Sequence, residues 1–224
     1  MFRRFIVAID GPAGSGKSTS AKLVAQRLNF LYIDTGAMYR AITFLAMKNE
    51  ILNDHEKVSK VAESCIIKLD FINGITNIQV DGNDLTNEIR SPGVNSNVSN
   101  ISKIHGVRKA LVNKQRAMAS ENTGVVMEGR DIGTVVFPDA DVKIYLTATI
   151  DERSVRRTKE FAEQGKHISI NDVRENLVQR DIIDSTREIS PLSKAEDAIE
   201  VDTSNTTIEE QVEIILRNVY KKLN

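Results

Sequence analysis

Five short runs of apolar, β-favouring residues punctuate the chain: FIVAID (5–10), FLYID (30–34), GVVMEG (124–129), DVKIYLTA (141–148) and AIEVDTS (198–204). Helical spacing of apolar positions fills the intervals between them. Strands alternating with helices predict a five-stranded parallel sheet with helices on both faces, an α/β fold. Three of the five runs close on Asp or Glu near the carboxyl edge, where ligands bind in open α/β sheets.

Residues 69–86 break that rhythm. LDFINGITNIQVDGNDLT alternates apolar and polar positions around two turn signals, Asn73-Gly74 and Asp81-Gly82, and predicts two or three short antiparallel strands. They define an insertion over about 50–95, closed by Ser91-Pro92-Gly93. The core domain then comprises 1–49 and 96–224, with a long helix over about 101–121. Residues 151–167 are charged and helical, with Arg153, Arg156 and Arg157 on one face and Gly165 at the end. Next to a phosphate site they would form a short helical lid.

Composition narrows the field. With 224 residues and a net charge of −1, the chain suits one substantial domain and has no global field toward nucleic acid or membrane. Arg3 and Arg4 precede an apolar run of only five residues before Asp10, too short for a signal peptide. Cys65 is the single cysteine, an apolar core residue in a helical pattern. Together these features predict a cytoplasmic protein acting on small molecules, with a monomer as the default state.

The first strand leads straight into candidate chemistry. Gly11, Pro12, Ala13, Gly14, Ser15, Gly16, Lys17 and Ser18 spell G-x-x-x-x-G-K-S, followed by Thr19 and an amphipathic helix. Glycines let backbone N–H groups approach phosphates, and the helix adds its positive end. In such a P-loop, Lys17 reaches the β- and γ-phosphates of a triphosphate and the Ser18 hydroxyl takes Mg²⁺. The chain lacks the N-K-x-D and D-x-x-G motifs of switch GTPases and the signature of transport ATPases. A phosphotransferase remains.

Three polar clusters follow the strands. In IDTGAMYRA (33–41), Asp34 stands beside the P-loop, suited to the Mg²⁺ shell; Thr35 opens a helix as its N-cap, and Tyr39 and Arg40 come one turn later. In EGRDIGTVVFPDAD (128–141), Arg130 and Asp131 follow the strand directly. In QRDIIDSTREISPL (179–192), spacing sets Arg180, Asp184 and Arg187 on one helix face. Arginines from separate segments therefore converge near the triphosphate. A phosphate monoester is mostly dianionic at neutral pH and already nucleophilic. Its phosphorylation needs charge neutralisation rather than a base, and arginine forks provide it. A hydroxyl acceptor would instead use Asp34 or Asp131 as base.

GPAGSGKST, DTGAMYRA, GRDIGTVVFPDA and the late R-D-x-x-D-S-x-R run together resemble the bacterial cytidylate kinase family, in order and over nearly the whole chain. The resemblance implies phosphoryl transfer from Mg-ATP to CMP or dCMP. It implies that Arg40 and Arg130 hold the acceptor phosphate, that Thr35, Ser99, Arg108 and Asp131 read the cytosine, and that Asp184 and Arg187 contact the sugar with Arg180 close by. Arg153 and Arg157 would be lid arginines, and residues 50–95 the nucleoside-monophosphate-binding insertion. Position 35 is Thr where some relatives have Ser, and the hydroxyl is kept. An AMP or UMP kinase of the same fold, and a non-catalytic nucleotide-binding module, are the rival readings.

Overall fold

The computed structural model describes residues 4–72, 75–163 and 165–223. Strands β1 (Phe5–Asp10), β2 (Leu31–Asp34), β6 (Gly124–Gly129), β7 (Val142–Thr147) and β8 (Ile199–Asp202) form one parallel sheet in the order β2-β6-β1-β7-β8. The order reverses at β1, so the loop after β1 opens into the crevice where such sheets bind ligands.

Alternation along β1 sorts its residues between two apolar layers. Val7 and Ile9 pack with helix α1 (Lys17–Leu28) and with α8 (Ile208–Leu223), whose Val212, Ile215, Leu216 and Val219 recur at helical spacing. Ile6 and Ala8 face the opposite layer with Val125, Met127 and Ile132. Both faces are covered, as a parallel sheet requires.

The insertion is a three-stranded antiparallel sheet of β3 (Ile67–Ile72), β4 (Ile75–Val80) and β5 (Asn83–Asp84), preceded by α3 (His55–Ser64). Asp81 and Gly82 both take positive φ, 51° and 81°, so this turn signal forms the primed turn that suits a hairpin. The Asn73-Gly74 signal lies outside the described residues. The insertion does not carry its own core. Ile67, Ile78 and Val80 share one apolar cluster with α2 (Thr35–Lys48) and with two further helices, α4 (Pro92–Ser102) and α5 (His105–Ser120).

Three local expectations need correction. The helix over 101–121 is two helices, because Ile104 is extended (ψ 118°) and breaks the chain between α4 and α5. The break leaves the Ser102 carbonyl free to accept from Arg108 Nη1 at 3.0 Å. Ser91-Pro92-Gly93 starts α4 rather than turning the chain: the Ser91 hydroxyl caps it and Pro92 takes the first helical position. Cys65 is buried as expected, but it lies just beyond the end of α3. The segment expected to form a lid is helix α6 (Ile150–Glu163), joined to α7 (Ile170–Thr186) through Phe161, Val173 and Leu177. Gly165 follows α6 at φ 71°. Among the described residues no helix is long and apolar enough to cross a membrane.

Candidate active site

A cavity of about 410 Å³ opens at the carboxyl edge of the sheet, between the P-loop, α2, α4 and the end of α7. The P-loop forms its floor. Gly11 sits at φ 147°, and a Cβ there would fall 2.0 Å from the Leu146 carbonyl oxygen, so the loop passes β7 only as glycine. Ala13, Gly14, Gly16, Lys17, Ser18 and Thr19 line the cavity. Gly11, Pro12 and Ser15 stand behind that surface. There the Pro12 carbonyl and the Ser15 hydroxyl accept from Lys17 Nζ at 2.6 and 3.3 Å.

Two cations of this floor are held below their ordinary pKa. Burial, reinforced by Arg130, lowers Lys17 to about 7. Arg180 is brought down to about 9 by the same two causes, and its Nε has no hydrogen-bond partner. Seven arginines line the cavity, among them Arg40, Arg90, Arg130, Arg157 and Arg180. An arginine with a depressed pKa marks a place where an anion would relieve electrostatic cost.

Asp34 belongs to the architecture as well as to the cavity wall. It, and not Thr35, is the N-cap of α2: Asp34 Oδ1 accepts from the Ala37 N–H at 2.8 Å. Its other oxygen accepts from Arg40 Nη2 at 3.1 Å. Thr35 instead donates its hydroxyl to the Glu128 carbonyl at 2.7 Å. Arg130 Nε donates to Asp184 Oδ2 at 3.0 Å. Burial alone would raise the Asp184 carboxyl, but Arg130, Arg180 and Arg187 hold it below its ordinary value.

Arg108 and Asp131 form a buried ion pair in the wall of the same cavity. Ser99 of α4 and Tyr39 of α2 line the same part of the cavity, with Arg108 stacked 5.4 Å from the Tyr39 ring centroid. Arg187 is not on the α7 face expected for it. The helix ends at Thr186 and Arg187 is extended (ψ 140°). From there its Nε donates to the Ser190 carbonyl at 2.6 Å, and its Nη2 lies 3.8 Å from Asp131 Oδ1.

The two arginines expected in a lid separate. Arg157 lines the cavity and donates to Asn95 Oδ1 of α4 at 3.1 Å. Arg153 does not line it. Its guanidinium is spent on the Ala148 and Ala13 carbonyls, at 3.1 and 3.2 Å, and on Asp181 at 2.7 Å. It fastens the lid helix to the P-loop because it points inward from the first turns of α6 and is buried.

Sequence reasoning passed over Glu128. This buried carboxylate accepts from Ser18 Oγ at 2.9 Å and from the Tyr32 hydroxyl. Burial and the neighbouring Asp34 raise its pKa. The signal was present, since Glu128 closes β6 directly opposite Asp34 in β2. Asp10, another strand-end acid, is structural: its oxygens accept from the Ile132 and Gly133 N–H groups at 2.8 and 2.7 Å.

Residues 7–221 match the family model described as cytidylate kinase. The chain belongs to the cytidylate kinase family. It is 50% identical to the cytidylate kinase of Desulforamulus reducens over 96% of both chains. The Clostridioides difficile cytidylate kinase is 47% identical over 96% of this chain and 97% of its own. That of Bacillus licheniformis is 45% identical over 99% of each. Among solved structures, an uncharacterised protein from Eubacterium ventriosum superposes with a TM-score of 0.52 at 12% identity, over 97% of this chain and 99% of its own, a likeness of fold alone. Within a cytidylate kinase, the cationic floor and the buried Arg108–Asp131 pair belong to one cavity.

Proposed function

We propose that the protein transfers the γ-phosphoryl group of ATP to CMP or dCMP, giving ADP and CDP or dCDP. The Arg108–Asp131 pair beside a cationic floor carries this reading. A carboxylate and a guanidinium complement the N4 donor and the O2 and N3 acceptors of cytosine. A pocket with two cations held below their ordinary pKa suits two phosphate chains brought together.

The P-loop and Lys17 hold the ATP phosphates. Arg40, Arg130 and Arg180 hold the acceptor phosphate, with Thr35, Ser99, Arg108 and Asp131 around the base and Asp184 and Arg187 at the sugar. An oxygen of the dianionic acceptor phosphate attacks the γ-phosphorus as its bond to the β,γ-bridging oxygen breaks. ADP leaves with that electron pair, and no proton need be removed from the acceptor. Arg157 closes from the lid and keeps water out.

Among the described residues no cluster of three or more His, Cys, Asp or Glu forms a metal cage. The Ser18 hydroxyl next to the Glu128 carboxylate fits Mg²⁺, which favours one or two protein oxygens plus phosphates and waters. Bound there, Mg²⁺ would neutralise charge on the phosphate oxygens. The test follows product formation from ATP and CMP by ³¹P NMR. Growth of CDP signals matched by ADP is expected. ADP accompanied by inorganic phosphate, with no CDP, would refute the transfer.

A further inference from the structure

The start of α4 brings a buried amide up to the cavity. Ser91 caps the helix and Pro92 takes its first position, which sets Asn95 one turn on, buried and lining the cavity. Ser99 follows one turn later on the same face and lines the cavity too. Asn95 Nδ2 donates to the Ser91 carbonyl at 3.0 Å and to the Arg90 carbonyl at 3.4 Å. Its Oδ1 accepts from Arg157 Nη2 of α6 at 3.1 Å. With carbonyls on one side and a guanidinium on the other, a single orientation of the amide satisfies both.

Neither carbonyl depends on that amide. The Ser91 carbonyl also accepts from the Asn95 backbone N–H at 3.1 Å, and the Arg90 carbonyl from Lys166 Nζ at 3.1 Å. Their bonds to Nδ2 instead hold the amide still, with its oxygen aimed at Arg157. Arg157 Nη1 donates to Glu160 Oε2 at 2.7 Å, and the guanidinium lies 4.6 Å from the Phe161 ring centroid. Those two partners belong to α6 and move with it. The bond to Asn95 ties the same guanidinium to α4, the helix that carries Ser99.

We propose that Asn95 is a positioning residue for phosphoryl transfer, holding the Arg157 guanidinium in the cavity and fastening α6 to the acceptor side. This inference rests on the CMP kinase reading and deepens it. Asn95 acts through Arg157, a cation that stabilises the transferring group. Its effect therefore falls on turnover rather than on the binding of either nucleotide.

The test compares Asn95→Leu, Arg157→Met and the double variant in the full chain, by initial rates with Mg-ATP and CMP. Leucine keeps the volume of the amide and leaves neither carbonyl without a donor. Asn95→Leu should lower kcat about fivefold, one hydrogen bond's worth, with KM for CMP and for ATP unchanged. In the Arg157→Met background it should have no further effect, because both changes break one connection. If Asn95→Leu fails to fold, Asn95→Ala makes the same comparison. An unchanged kcat, or a loss carried by KM alone, would overturn the inference. So would an equal loss in the Arg157→Met background, which marks a purely structural role. A raised kcat would overturn it too, since the amide would then hold Arg157 back. No CMP-dependent turnover in the unsubstituted protein would overturn the functional reading itself, an outcome visible before any variant is compared.

Discussion

Ser18 Oγ lies 2.9 Å from Glu128 Oε2, tying the first turn of α1 to the end of β6. Tyr32 donates to the other oxygen of the same carboxylate. Glu128 therefore orients the hydroxyl assigned to Mg²⁺ and stands ready as a second oxygen donor or as the acceptor of a metal-bound water. Glu128→Gln should weaken the apparent Mg²⁺ affinity of the reaction about 10–100-fold, with a smaller effect on CMP binding. A Mg²⁺ titration of initial rate checks this. An unchanged midpoint would remove Glu128 from the metal site.

Lys17 makes ATP binding pH-dependent. Its pKa is about 7 in the free protein, so the ammonium form dominates below pH 7 and the neutral amine above it. Phosphates bind the ammonium form, so ATP binding at pH 8, where the terminal phosphate is already ionised, should take up about one proton. Affinity should fall as pH rises through 7. Calorimetry at pH 8 in buffers of different ionisation enthalpy measures the uptake, with EDTA present to silence Glu128. Lys17→Met should abolish it, and buffer-independent heats for the unsubstituted protein would contradict the assignment.

The two lid arginines should fail differently. Arg153→Met strands the Ala13 and Ala148 carbonyls and the Asp181 carboxylate, and should cost about 2 kcal/mol in urea denaturation. Arg157→Met removes a cation that lines the cavity. It should leave stability within about 0.5 kcal/mol while lowering kcat by about tenfold or more. The reverse pattern would exchange their roles.

In the proposed function Asp131 meets the base with a carboxylate. Uracil presents an acceptor where cytosine presents its N4 donor, so the carboxylate disfavours it. Asp131→Asn offers a donor instead and should narrow the CMP over UMP preference at least about tenfold. The same change weakens a buried ion pair and should cost about 3 kcal/mol of stability. Unchanged selectivity would show that Asp131 only holds Arg108.

Much of this was legible in the chain itself. Short continuous apolar runs placed all five parallel strands to within two residues, because a strand buried on both faces leaves little freedom of composition. The P-loop was legible because its glycines answer to one backbone path. The misreadings share a cause. Helix periodicity ran through Ile104 and through Arg187, yet both residues are extended. The break at Ile104 gives Arg108 the Ser102 carbonyl, and the end of α7 at Thr186 turns Arg187 toward Asp131. Tertiary hydrogen bonds of this kind leave no mark on local periodicity. Arg153 and Arg157 are both cationic helix residues in sequence, and only packing shows that one is buried against the P-loop. Glu128 had a visible signal, a strand-end acid opposite another, but its use depends on Ser18 arriving from a different element.

The most direct test is ADP formation from Mg-ATP against a panel of CMP, dCMP, UMP, AMP and GMP. The account predicts fast turnover with CMP and dCMP and at most slow turnover with the others. Preferred turnover of AMP or UMP would contradict the assignment of Arg108 and Asp131 to cytosine, and the absence of acceptor-dependent ADP would contradict phosphoryl transfer altogether.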